Sequence, residues 1–464
     1  MKFSTYKTSL VLAFLLVYTC AVAQNLPQNL AAAFSKFEQD PQLQNAIASL
    51  YIIDAKTGEV IFDRNSRVGL APASTMKVIT SISAYELLGS GFRYKTEFAY
   101  SKNNGKAELI ILPSGDPTLG SWRWAESREG NVLKTLTIKL QQTGVKSFDK
   151  VIVENEGWND ETVPDGWMWQ DIANYYGAGP AKLNWRENQY DVILKSGKRI
   201  GDPVAVVKTV PEMNGYELNS ELTSAAAGTG DNAYIYFPLS TSSATIRGTI
   251  PVNESSFKIS GAMPAAGKQF ISVWADTLQQ IGIQLPKQLV EQNTKLPQRS
   301  YTTFHTITSP PLDSIIYWFN RKSINLYGEA LVKTIAYQHT QSSKTDEGLD
   351  KIRTLWKQHG IPETELSMVD GSGLSPLNRV TAHTQVKLLH HAKNQPWFNG
   401  LYTSLPIYNG MKMKSGTIRG VKGYTGYHKS KDGKEYAFSF LVNNYNGSGA
   451  SLVQKMYRVL DELK

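Results

Sequence analysis

The chain has 464 residues, enough for a large core and two or three domains. Its formal charge of +9 carries no Lys/Arg block and no basic–aromatic pattern, so a nucleic-acid-binding role is excluded and the charge reads as that of a generic basic exported protein. The seven His are scattered, with His390-His391 as the close pair and no His-Glu-x-x-His spacing, so no zinc site is expected.

The chain opens on a secretory signal over residues 1–23. Lys2 and Lys7 form its charged start, Leu10–Val17 its apolar stretch and Ala21-Val22-Ala23 its cleavage site, with cleavage expected before Gln24. Tyr18 and Thr19 fit a lipoprotein anchor at Cys20 poorly. Removal of the segment lowers the charge to +7 and takes away Cys20, the single cysteine. The mature chain then has no disulfide and no Cys nucleophile, so core burial must stabilise it. No other apolar run approaches the ~20 residues of a transmembrane helix, so no membrane anchor is expected.

Leu30–Phe37 reads as a short helix. Apolar runs at Ala46–Ile53 and Val60–Phe62 flank Lys56-Thr57-Gly58 and predict a hairpin. Ser74 follows Pro72-Ala73 and opens a run with Val78, Ile79, Ile82, Tyr85 and Leu88 at helical spacing, stopped by Gly89. Ser74 and Lys77 are then i and i+3 on one helix face. The Ser74 amide would point out of the helix N-terminus, where negative charge is favoured.

The stretch 92–301 differs. Strand-like runs occur at Glu108–Leu112, Lys150–Glu154, Val204–Val210, Ala233–Phe237, Ala244–Ile250 and Ser256–Ser260, punctuated by Gly, Pro and Asn/Asp. It is expected to be an inserted β-rich region of one or two domains. Helical patterns return after Pro310-Pro311 at Asp313–Arg321, Ile324–Tyr337, Glu347–His359 and Thr384–Ala392. Strand-like Val421–His428 and Glu435–Asn443 are joined by an Asp432-Gly433 turn signal. The end, Ser451–Leu463, has one apolar face and reads as a helix packed on a sheet. Residues 24–91 and 302–464 are together expected to form one α+β domain, an antiparallel sheet covered by helices.

Three short motifs stand in order along this frame: Ser74-Thr75-Met76-Lys77, Ser323-Ile324-Asn325 and Lys414-Ser415-Gly416-Thr417. Each alone is weak. Ser-x-x-Lys also begins at Ser4, Ser147 and Ser255, Lys-Ser/Thr-Gly at Lys56 and Lys195, and Ser-x-Asn at Ser101. Context selects among them: Ser4 lies in the signal and Lys56 in a turn, whereas Ser74 starts a helix and Lys414 precedes a strand pair. Together the three are the signature of penicillin-recognising serine acyltransferases.

With those residues, the chain resembles the D-alanyl-D-alanine carboxypeptidase/endopeptidase family, the class C low-molecular-mass penicillin-binding proteins. Further segments carry the likeness: Asp54-Ala55-Lys56-Thr57-Gly58, Gly115-Asp116-Pro117-Thr118-Leu119, Tyr176-Gly177-Ala178, Leu183-Asn184, Asp370-Gly371-Ser372-Gly373-Leu374-Ser375 with Asn378-Arg379-Val380-Thr381, and Ser404-Leu405-Pro406-Ile407. Ser415 stands where the family often has Thr, and both carry a hydroxyl. The resemblance implies a β-lactamase/transpeptidase-like domain with inserts, a periplasmic location, and action on peptidoglycan stem peptides and cross-links, with β-lactams as covalent inhibitors. No metal or cofactor is expected.

In such a site Ser74 is the expected nucleophile and Lys77 its base. Ser323 is the expected proton relay, and Asn325 orients Lys77 and the substrate amide. Lys414 lowers the proton affinity of Lys77, and Lys414, Ser415, Gly416 and Thr417 receive a substrate carboxylate. The Ser74 and Thr417 amides are the expected oxyanion donors. Asp370, Ser372 and Arg379 read as turn geometry, and Trp158, Trp167, Trp169, Tyr175 and Tyr176 as packing of the insert rather than a glycan-stacking surface. The rival readings are a β-lactamase, a catalytically silent wall-binding protein and a strand-joining transpeptidase.

Overall fold

The computed structural model describes residues 26–103, 106–159, 161–213, 215–237, 243–297 and 301–464. The predicted signal, with Ser4 and Cys20, lies outside them. The chain divides into two compact units. One holds residues 26–82, Trp356–Met368 and Pro376–Lys464, and the other Ser83–Leu355 and Val369–Ser375.

The first unit is built on a six-stranded antiparallel sheet. Its order is Ile407–Tyr408, Met411–Ile418, Val421–Lys429, Glu435–Asn443, Ile47–Asp54 and Val60–Arg64. Strand Ile47–Asp54 pairs with Glu435–Asn443 along its whole length, so the two ends of the chain close one sheet. The run Tyr436-Ala437-Phe438-Ser439-Phe440-Leu441-Val442 is buried throughout, as a strand covered on both faces must be. On one face, helices 26–38 and Gly449–Leu460 bring Leu30, Phe34, Leu452 and Met456 against Leu50, Ile52, Phe438 and Phe440. Each such side chain contributes roughly 1.5–3 kcal/mol on burial. On the other face lies helix Ala382–Lys393, with His383 against Tyr51 and Gln385 bonded to Ser439. This is the expected α+β arrangement.

The second unit contains a five-stranded sheet in the order Leu289–Gln292, Lys150–Glu154, Lys106–Leu112, Lys95–Asn103 and Thr302–Thr308. Two three-stranded sheets accompany it, Phe257–Ala262/Gln189–Lys195/Ala205–Val210 and Glu217–Ala225/Ser243–Pro251/Asn232–Tyr236. The β-rich expectation for this stretch is met, but it also holds two helices that the sequence reading did not separate from it, Glu129–Gln142 and Ala266–Gln279. Strands Lys106–Leu112 and Lys150–Glu154 are parallel, and parallel neighbours need a long crossover, which Glu129–Gln142 supplies. Phe98, Leu136, Trp185, Ile246, Phe270 and Trp274 belong to one core.

The four helical patterns after Pro310-Pro311 are helices Leu312–Lys322, Asn325–Thr340, Thr345–Gln358 and Ala382–Lys393. Every residue from Asn325 to Ala336 is buried, the signature of a central helix rather than a surface one. No helix among the described residues is long and apolar enough to cross a membrane.

Candidate active site

In the first unit the chain approaches Ser74 through a clamp. The Asn443 side chain accepts from the Ala71 amide at 2.9 Å and donates to the Ala71 carbonyl at 3.1 Å. Ala73 then takes a positive φ of 46°, unusual for a residue with a Cβ. Ser74 stands in a tight turn, Ala73–Thr75, that runs straight into helix Met76–Leu88, rather than in the helix itself. The i, i+3 spacing nevertheless places Lys77 Nζ 3.0 Å from Ser74 Oγ. Lys77 is fully buried.

The third motif lies on strand Met411–Ile418, where Lys414 faces Thr425, Gly416 faces Gly423 and Thr417 faces Lys422 across the ladder. A Cβ on Gly416 would lie 2.5 Å from the Pro72 carbonyl oxygen, 2.9 Å from the Thr75 nitrogen and 3.0 Å from the Ser74 nitrogen. A Cβ on Gly423 would lie 3.2 Å from Thr75 Cγ2 and 2.8 Å from Leu441 Cδ2. The glycine pair is thus a notch that seats the Ala73–Thr75 turn. Outside this strand, the two-residue strand Ile407–Tyr408 pairs only with Met411 and Lys412. The ladder on that side stops before Lys414.

Lys414 is 2% exposed and donates to the Ser415 carbonyl at 2.8 Å. Burial holds its ammonium well below the ordinary lysine range, and repulsion from Lys77 and then Lys422 pushes the same way. Lys422 donates to Thr417 Oγ1 at 2.8 Å, and its own amine is lowered by burial.

A polar network behind the turn was not foreseen. Thr75 Oγ1 donates to the Pro72 carbonyl at 2.7 Å and accepts from Gln385 Nε2 at 2.8 Å. Gln385 Oε1 in turn accepts from Thr425 at 2.7 Å and Ser439 at 2.6 Å. All four side chains are fully buried. Lys422, Gln385 and Asn443 sit in unremarkable sequence; the one available signal was polar residues inside otherwise apolar strand and helix patterns.

The second motif belongs to the second unit. Ser323 ends helix Leu312–Lys322 in the left-handed conformation, φ 55° and ψ 42°, and Asn325 begins the next helix. Asn325 Nδ2 donates to the Tyr176 carbonyl at 2.8 Å. Asp370 accepts from the Gly373 and Ser375 amides at 2.7 and 2.6 Å and from Trp167 Nε1 at 3.0 Å, the turn geometry expected for this segment. A Cβ on Gly371 would meet the Gly328 carbonyl oxygen at 2.6 Å, so this turn too depends on close backbone approach. Of the aromatic residues, Trp158 and Trp167 are buried, whereas Trp169 and Tyr175 are 53% and 50% exposed.

The structure therefore brings Ser74, Lys77, Lys414, Ser415, Gly416 and Thr417 together in one unit, and Ser323 and Asn325 together in the other. The sequence profile of the D-Ala-D-Ala carboxypeptidase 3 (S13) family matches residues 30–462. The chain belongs to this family. Among its relatives, it is 26% identical to the D-alanyl-D-alanine carboxypeptidase of Actinomadura sp. (strain R39), over 90% of this chain and 81% of that protein. It is 22% identical to the D-alanyl-D-alanine carboxypeptidase DacB of Haemophilus influenzae, over 84% and 83%. The crystal structure of penicillin binding protein 4 from Haemophilus influenzae superimposes with a TM-score of 0.77 at 20% identity, covering 92% of this chain and 98% of that one. The S13 chain thus shares that fold, an α+β domain carrying inserted β-rich structure.

Proposed function

We propose that this protein is a serine D-Ala-D-Ala carboxypeptidase and endopeptidase that acts on peptidoglycan stem peptides and cross-links in the periplasm, through an acyl-enzyme on Ser74. The observation that carries the reading is Lys77 Nζ at 3.0 Å from Ser74 Oγ, with a second buried lysine, Lys414, close enough to repel it. Two neighbouring buried ammonium groups are unfavourable, and releasing one proton from the pair relieves both burial and repulsion. That leaves an amine able to take the serine proton. On this reading residues 1–23 are an export signal, 24–91 and 302–464 the catalytic domain, and 92–301 the insert.

Ser74 Oγ attacks the carbonyl of the penultimate D-alanine while its proton passes to Lys77. The oxyanion accepts from the Ser74 and Thr417 amides, and losing one such donor typically costs ~100–1,000-fold in rate. Collapse breaks the peptide bond, and the leaving amine takes a proton relayed by Ser323, with Asn325 orienting the reacting groups. Water then attacks the ester and frees Ser74. Lys414, Ser415 and Thr417 receive the substrate carboxylate, with Gly416 keeping the strand against the turn. The peptide extends along the strand edge beyond Lys412, a β-strand addition. A β-lactam presents a strained amide to the same serine, and its leaving amine stays tethered, so the ester persists. A structure of the Haemophilus influenzae penicillin binding protein 4 was solved with a β-lactam, which supports this expectation.

The test is the intact mass after brief incubation with benzylpenicillin, for wild type and Ser74→Ala. One persistent adduct on the wild type and none on the variant is expected. Penicillin consumed without an adduct would make the protein a β-lactamase, and penicillin left intact would make it a silent wall-binding protein. Release of D-alanine from a stem peptide and cleavage of a cross-linked dimer then separate carboxypeptidase from endopeptidase action.

A further inference from the structure

Ser323 sits in the left-handed region, where a residue with a side chain is strained and persists only if its surroundings over-determine it. A second anomaly lies in the same unit. Arg186, Glu187 and Asn188 have φ of 55°, 53° and 50°, three consecutive left-handed residues without a glycine. The Asn188 side chain accepts from the Trp185 amide at 3.0 Å and donates to the Gly179 carbonyl at 2.8 Å, which fixes the turn.

The turn places a carboxylate in the interior. Glu187 has no solvent exposure. Its Oε1 accepts from Ser121 Oγ, Arg123 Nε and Tyr327 OH, each at 2.7 Å, and its Oε2 from the second Arg123 nitrogen at 3.0 Å. Such a buried charge is costly unless fully bonded, so these partners are tightly constrained. Their positions matter. Tyr327 lies two residues after Asn325, in the first turn of helix Asn325–Thr340. The Arg123 guanidinium lies 5.4 Å from the ring of Trp318, on the helix that ends at Ser323. The carboxylate–guanidinium pair therefore grips the helices on both sides of Ser323-Ile324-Asn325, and the Tyr176 carbonyl holds Asn325 itself. Burial and the Glu187 charge keep the Tyr327 hydroxyl protonated far above its usual range, so it stays a donor.

We propose that Glu187, acting through Arg123 and Tyr327, is the positioning residue for the Ser323-Ile324-Asn325 segment. The insert then takes part in catalysis by setting that segment's geometry. The inference rests on the roles assigned above to Ser323 and Asn325.

The experiment measures benzylpenicillin acylation of the full chain by intact mass, as a rate and as a final acylated fraction. The proteins are wild type, Ser74→Ala, Tyr327→Phe, Glu187→Gln, Ser323→Ala and the Glu187→Gln/Ser323→Ala double variant. Misplacement of a reacting group by about 1 Å costs on the order of 100-fold, so Glu187→Gln is expected to slow acylation by about that factor and Tyr327→Phe by about 10-fold. In both, every folded molecule should still become acylated, and the dissociation constant before acylation should stay unchanged. In the double variant Glu187→Gln should add little to Ser323→Ala, because both act on one relay. A purely stabilising network predicts the opposite: a lower melting temperature, a smaller acylated fraction, and a wild-type rate for the molecules that react. That result, or full additivity in the double variant, overturns the proposal. Should Glu187→Gln fail to fold, Tyr327→Phe removes a single oxygen and decides alone. Absence of any Ser74-dependent adduct on the wild type would overturn both this proposal and the proposed function, whereas a wild-type adduct with unaffected variants would overturn this one only.

Discussion

Gly416 leaves no room for a side chain beside Ser74: a Cβ there would lie 3.0 Å from the Ser74 nitrogen and 2.5 Å from the Pro72 carbonyl oxygen. Distances that short to backbone atoms cannot be relieved by rotating a side chain. The strand and the Ala73–Thr75 turn would have to separate, and the Ser74 and Thr417 amides proposed as oxyanion donors would separate with them. Gly416→Ala is therefore expected to lower the acylation rate with benzylpenicillin by about 100-fold or more. Overpacking of this kind costs about 1–3 kcal/mol, so the variant should still fold. Acylation rate and thermal midpoint measured together check both halves.

Gln385 tests the network behind the turn. It joins Thr75 to Thr425 and Ser439 among fully buried groups. Gln385→Leu keeps the volume and removes the bonds. Thr425 and Ser439 retain their mutual 3.0 Å contact, and Thr75 keeps its bond to Pro72, so the loss is partial. An orphaned buried polar group costs about 1–3 kcal/mol, and a stability loss of that size is expected in urea unfolding. A wild-type stability would remove the network from the account.

Most of the first unit was legible in the sequence because its signals are local. Ser74 and Lys77 are three residues apart, and the Gly89 stop, the Asp432-Gly433 turn and the strand pair that follows Lys414 each depend on near neighbours. The pairing of Ile47–Asp54 with Glu435–Asn443 is not local, but both strands read as apolar runs. What was not legible is long-range polar complementarity. Gln385 meets Thr75 across 310 positions and Tyr327 meets Glu187 across 140, and nothing at either end announces the partner. Helix Glu129–Gln142 was missed for a different reason. Its apolar residues Val132, Leu133, Leu136 and Leu140 have helical spacing, but they lie in a stretch dominated by strand-like runs and turn residues.

Lys414 carries a pH signature. Its amine titrates well below the ordinary value of 10.5, so between those two pH values the unfolded chain holds a proton that the native chain lacks. Stability then rises with pH across that window and falls as pH is lowered through it. Lys414→Met removes the burden of burying an ammonium. It should make the protein more stable than wild type at neutral pH, with the difference shrinking as pH rises toward 10.5. Acylation should be abolished. Unfolding midpoints across alkaline pH measure the first effect, and intact mass the second. A variant less stable than wild type at pH 7 would show that the Lys414 bond to the Ser415 carbonyl outweighs its desolvation.

Lys422 tests the proposed carboxylate site from the neighbouring strand. It faces Thr417 across the ladder and donates to its hydroxyl at 2.8 Å, so it both fixes that hydroxyl and adds positive charge beside the third motif. Its bond is to Thr417, so its loss should weaken substrate capture more than chemistry. A screened charge contact at a partly exposed site contributes on the order of 1 kcal/mol, which corresponds to about a five-fold change in affinity. Lys422→Gln is accordingly expected to raise KM for a D-Ala-D-Ala peptide several-fold with kcat little changed. Because the interaction is with an anion, the wild type should lose affinity as salt is raised, and the variant should lose less. Steady-state kinetics at low and high salt separate the cases. A fall in kcat with KM unchanged would instead place Lys422 in the transition state, holding Thr417 as its amide receives the oxyanion.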